Sequence, residues 1–170
     1  METCSFRPPK GFSENKEDIY KILIDQIALF FKEEEDLIAN LANTAAFMKT
    51  IPLPFFWVGF YLVKAKELVL GPFQGSPATS RISFGKGVCG KAWKERKTIL
   101  VPDVHLFPGH IACSSLSQSE IVVPIFADNE IIAVLDIDSD RENDFDTTDA
   151  LYLEKIAEII GLNWHKNKIL

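Results

Sequence analysis

Three carboxylates and two thiols are the residues of this sequence best placed to do chemistry. In IIAVLDIDSD, residues 131–140, strand alternation puts Ile131, Ala133, Leu135 and Ile137 on one face. Ile132, Val134, Asp136 and Asp138 fall on the other. Aspartate is depleted in strands, and carboxylates this close raise one another's pKa. The pattern fits a strand running out into solvent, or an acidic pocket in which one carboxyl keeps its proton and donates a hydrogen bond. Glu120 begins the preceding apolar run, SEIVVPIFA. If the two runs form a hairpin, start meets finish, and Glu120 arrives beside the Asp136/Asp138 end. That convergence favours the pocket.

The thiols come from other segments. Cys89 lies in SFGKGVCGKAWKER, read as a glycine-rich loop ahead of a short AWKER helix whose N-terminal dipole would favour thiolate. Cys113 lies in a serine-rich polar segment, seven residues before Glu120. A cysteine is more often an inert core residue than a nucleophile, and polar or glycine-rich surroundings weaken that default. Metal is not expected, because there is no C-x-x-C and three histidines with two loop cysteines form no familiar zinc spacing. His110, three residues before Cys113, raises a Cys–His hydrolase. Such dyads seldom form between sequence neighbours, however, and no oxyanion-hole motif is evident. GKGVCG lacks the GK[ST] ending of a phosphate loop. Trp57 and Tyr61, four apart in FFWVGFYLV, share a strand face; core is their default, and their polar edges also suit a pocket wall.

These residues need elements to hold them. Residues 1–13 carry two prolines and little periodicity and read as a flexible arm; 14–170 read as a single domain. A helix from Glu14 shows Ile19, Ile22, Leu23, Ile27 and Phe30 at three- and four-residue steps. A second follows EEED, with Leu37, Ile38, Leu41, Ala45 and Met48 on its apolar side, ending at the prolines 52 and 54. FFWVGFYLV and ELVLGPF make a hairpin around KAK, TILVPDV a short strand, and SEIVVPIF with EIIAVLDIDSD a second hairpin. A last helix, capped by Asp146, aligns Leu151, Leu153, Ile156 and Ile160. Hairpins imply an antiparallel sheet, and the terminal helices must cover one face, an α+β fold.

Composition narrows the class. With 170 residues, 47% of them hydrophobic, 13 phenylalanines and a net charge of -6, the chain can bury one core. It has no electrostatic footprint for nucleic acid or an anionic membrane. No apolar run reaches the roughly 20 residues of a bilayer span. The N-terminus lacks the order of a secretory signal, so a cytoplasmic location with its three cysteines reduced is expected.

Taken together, IANLANTAAF, FFWVGFYLV, LVLGPFQG, FGKGVCGKAW, PDVHLFPGHIAC, SQSEIVVP and LDIDSD, in order from about Asp36 to Leu162, resemble the free methionine-(R)-sulfoxide reductases, stand-alone GAF domains. The resemblance implies a central antiparallel sheet with helices mainly on one side, and no bound cofactor. Its substrate is free methionine sulfoxide, its external reductant thioredoxin, and its assembly a homodimer. It implies that Cys113 attacks sulfur, and, with Thr79 in place of the family's third cysteine, Cys89 is left to resolve the sulfenic acid, with the two roles exchangeable. Glu120, Asp136 and Asp138 would bind the sulfoxide oxygen and the amino group, and Trp57 and Tyr61 the methyl-sulfur end. Two positions depart from the family pattern: Thr79 stands where a third cysteine is usual, and Ser114 where aspartate often follows the nucleophile. Cys4, on the arm, is the only other thiol. A non-catalytic GAF sensor or interaction module with the same pocket is the alternative reading.

Overall fold

The computed structural model describes residues 15–111 and 114–164. The expected arm, with Cys4, and the expected nucleophile Cys113 lie outside the described residues. Six strands form one sheet in the order β3-β2-β1-β6-β5-β4. They are β1 (Trp57–Lys64), β2 (Glu67–Gln74), β3 (Arg81–Ser83), β4 (Ile99–Val101), β5 (Ser119–Ala127) and β6 (Glu130–Ser139). Every pairing is antiparallel. This is the expected α+β fold.

Three helices, α1 (Lys16–Glu33), α2 (Leu37–Thr50) and α4 (Thr147–Asn163), share the main core with the sheet. That core takes Val58, Phe60 and Leu62 from β1, Ile121, Val123 and Ile125 from β5, and Ala133, Leu135 and Ile137 from β6. Each such side chain contributes about 1.5–3 kcal/mol by leaving water. The other face of the sheet carries α3 (Gly87–Glu95) and a second, smaller core. Among the described residues, no helix is long and apolar enough to cross a membrane.

Several helix details follow from capping. Asp36 and Asp146 cap α2 and α4 through their side chains, and Asp149 completes a capping box at α4. Asp149 is itself buried, accepting from Tyr20 Oη and Lys16 Nζ, each at 2.6 Å, which ties α1 to α4. Two expected core positions are corrected. Ile38 and Leu151 are exposed, because the buried stripes run through Leu37, Leu41 and Met48, and through Tyr152, Leu153 and Ile156.

The β5–β6 hairpin turns at Asp128 and Asn129, both with positive φ, a conformation these two residue types tolerate best after glycine. Just past the turn the register slips between Ile125 and Phe126. The strict alternation expected of β6 fails there, and Ile132 packs against the helix-side core. Beyond the slip, alternation holds to the strand's end.

Candidate active site

Register assembles the acids. Glu120 pairs with Asp138 across β5–β6, while Asp136 and Asp138 sit opposite Gly59 and Trp57 of β1. All three carboxyl groups lie on the α3 face, and all are buried, between 3% and 5% exposed. The solvent-exposed alternative for the strand end is thereby removed. Burial pushes each carboxyl well above its ordinary pKa, and the neighbouring acids push further. A hydrogen bond between Asp136 and Glu120 raises the first and lowers the second. A hydrogen bond between two carboxyl groups requires that one of them carry a proton. Its Oδ1 has no hydrogen-bond partner among the described residues.

Cys89 closes the cluster from above. It is not in a loop ahead of the helix, as its glycine-rich context suggests; α3 starts at Gly87, and Cys89 is the third helical residue, 3% exposed. The glycines that conceal the helix in the sequence serve its docking. Gly87 has φ 60°, and a Cβ on Gly90 would stand 2.7 Å from the Ser83 carbonyl oxygen. The thiol hydrogen-bonds to Asp136. Ligand atoms of Cys89, Glu120 and Asp136 fall within 4.8 Å of one another.

His110 is the partner that sequence reasoning missed. Raised in the sequence only as an unfavoured dyad with Cys113, it sets Nε2 3.3 Å from Glu120 Oε2. Burial lowers its pKa, so the imidazole is held toward its neutral, donating form. Only a register linking residue 110 to residue 120 would have revealed this, and no periodic pattern spans that segment.

Trp57 and Tyr61 do share the face of the acids and are fully buried. Their rings stack at 6.3 Å, with Phe73 beyond Trp57 at 5.4 Å. Space for the indole is made by glycine: a Cβ on Gly59 would lie 2.3 Å from Trp57 Cη2, and one on Gly75 2.3 Å from Cδ1. The polar edges point to backbone, with Trp57 Nε1 donating to Ser76 O and Tyr61 Oη to Thr79 O, both at 2.9 Å. Both rings thus anchor the β2–β3 connection that carries Thr79.

The cavity beside the acids holds about 10 Å³, lined by Ile82, Gly87, Val88, Cys89, Ile111 and the three acids, and the expected wall residues Trp57 and Tyr61 do not line it. That is room for about one water. A larger cavity of about 440 Å³, between Phe126 and Leu162, contains neither thiol nor imidazole. Of the two, only the small one is lined by a thiol.

A family model described as GAF domain matches residues 32–165. The free methionine-R-sulfoxide reductase of Neisseria meningitidis, solved in complex with its substrate, superposes with a TM-score of 0.89 at 50% identity, covering 92% of this chain and 94% of that one. The free methionine-R-sulfoxide reductase of Saccharomyces cerevisiae is 41% identical over 155 residues, 86% of each chain. This chain belongs to the GAF-domain free methionine-R-sulfoxide reductase family. GAF domain-containing protein A of Dictyostelium discoideum is 54% identical over 147 residues, 86% of this chain and 92% of its own. Against the reductase family pattern, Thr79 is half-buried and holds Tyr61 through its carbonyl. A hydroxyl there cannot resolve a sulfenic acid.

Proposed function

We propose that this chain reduces free L-methionine-(R)-sulfoxide to methionine. The observation that carries the reading is a buried triad of carboxyl groups against a thiol, in a chain half identical to a reductase solved with its substrate. Sulfoxide oxygen leaves sulfur poorly unless it is protonated. Asp136, kept protonated by burial and by Glu120, is placed to donate to that oxygen. Glu120 and Asp138 accept from the amino group, and Trp57 and Tyr61 back the wall near the methyl group. The ligand exceeds the present cavity, so Ile82, Val88 and Ile111 must part to admit it.

In the first step the Cys113 thiol attacks sulfur. Methionine leaves, and the oxygen remains on the enzyme as a sulfenic acid. A second thiol condenses with it, releasing water and forming a disulfide, and thioredoxin returns both thiols by exchange. Cys89 is the resolving thiol, its place against Asp136 supporting a direct part in the site; the same contact suits the exchanged assignment, with Cys89 attacking. The scheme needs a reducing compartment such as the cytoplasm. It also takes 14–170 as one catalytic domain, and a homodimer by resemblance to the family.

A thioredoxin-coupled assay on free R-sulfoxide, free S-sulfoxide and a sulfoxide-containing peptide tests the reading. Turnover of the free R form alone is expected, and its loss in Cys113→Ser with substrate binding retained. No turnover of any of the three leaves a ligand-binding GAF sensor, and full activity in Cys113→Ser overturns the nucleophile.

A further inference from the structure

The thiol and acids form a donor set that sulfoxide reduction does not exhaust. Sulfur from Cys89 and oxygens from Glu120 and Asp136 lie within 4.8 Å of one another, all three residues buried. Bonds of about 2.0–2.3 Å around a tetrahedral ion bring ligands to roughly 3.3–3.6 Å apart, so a contraction of up to about 1.5 Å closes the shell. No sequence spacing announces this, because the three residues come from α3, β5 and β6.

The surroundings of Asp136 point to a cation. Asp136 Oδ1 is buried without a hydrogen-bond partner among the described residues, and Asp136 lines a cavity of about 10 Å³. An unsatisfied buried oxygen costs about 1–3 kcal/mol, and an ion in that cavity would satisfy it. The cavity suits one ion or water and nothing larger. Next to it, His110 Nε2 stands 3.3 Å from Glu120 Oε2, outside the set of three, and would have to turn toward the others to reach an ion that Glu120 holds. A mixed sulfur, nitrogen and oxygen set suits zinc, whereas magnesium and calcium take all-oxygen shells.

We propose that Cys89 Sγ, one oxygen each of Glu120 and Asp136, and His110 Nε2 form a Zn²⁺ site that blocks the substrate cavity when filled. Binding releases the thiol proton and the carboxyl protons to solvent. The blocking half rests on the reductase reading; the ion site does not.

The test is direct binding to the reduced full chain, read with Co²⁺ and then Zn²⁺. Cobalt should give a thiolate-to-metal charge-transfer band at one ion per chain. Cys89→Ser should abolish the band, while a Cys4→Ser/Cys113→Ser double variant keeps it. Asp136→Asn, nearly isosteric and checkable for folding by circular dichroism, should weaken Zn²⁺ at least tenfold in competition with a chromophoric chelator. Absence of stoichiometric binding, a band that survives Cys89→Ser, or unchanged affinity in folded Asp136→Asn each overturns the site. A chain that binds zinc but turns over no sulfoxide even when stripped of metal with a chelator sinks the reductase reading alone; an active metal-free reductase that shows no band with cobalt sinks the zinc site alone, and one whose turnover zinc leaves unchanged sinks the blocking half.

Discussion

Asp136→Asn should make the protein more stable at neutral pH and far less active. The side chain is 3% exposed, and its pKa is raised, first by burial and then by Glu120. In the unfolded chain an aspartate titrates near about 3.9. Above that pH the unfolded state gives up a proton that the folded state retains, so stability falls as pH rises, until the folded pKa is passed. The slope is about 1.4 kcal/mol per pH unit for each proton so retained. For as long as Asp136 keeps its proton, the wild-type chain loses stability at that slope as the pH rises. Asparagine does not titrate, so it takes no part in this loss. Urea unfolding of both proteins at pH 5, 6 and 7 measures the effect. Subtracting the curves cancels oppositely shifted groups such as Asp146, whose pKa is lowered. The variant should gain on the wild type by about 1.4 kcal/mol per pH unit, while kcat on the free R-sulfoxide falls by roughly 10²–10⁴ with the lost proton donor. Parallel stability curves would refute the buried-proton argument, whatever happens to activity.

Gly59→Ala should cost about 1–3 kcal/mol and raise KM, because its Cβ would sit 2.3 Å from Trp57 Cη2 and 2.6 Å from Phe73 Cβ; thermal melts with steady-state kinetics check both, and an unchanged variant would show that the indole moves freely. Tyr20→Phe removes a 2.6 Å bond to the buried Asp149 carboxylate and should cost about 1.5–3 kcal/mol, with kcat unaltered, as this contact lies on the helix side of the sheet. A matching loss of kcat would mean that the two faces are coupled.

How much could be read beforehand depends on how local the cause is. The Glu120–Asp138 convergence was legible because one hairpin with a two-residue turn fixes both ends of the pair. Asp146 as a cap was legible for the same reason. The α3 boundary was not: glycine normally argues against helix, and Gly90 is present because the Ser83 carbonyl crowds it, a tertiary cause. Strand β3 is three residues long and exists through pairing with Glu67–Val69, so it left no run to detect. His110 beside Glu120, and the clustering of Cys89 with the acids, likewise depend on contacts between elements far apart in the chain.

The hairpin turn at Asp128–Asn129 stands at one end of β5–β6, and Glu120 and Asp138 at the other. A hairpin that zips from its turn meets its acidic rungs last, and these must close against mutual repulsion unless protons are taken up. The last rungs are clamped only when Trp57 of β1 pairs with Asp138 and Val101 of β4 pairs with Glu120. The acids beside Cys89 are thus held by four strands at once, and the cluster is complete only where all of their pairings are made.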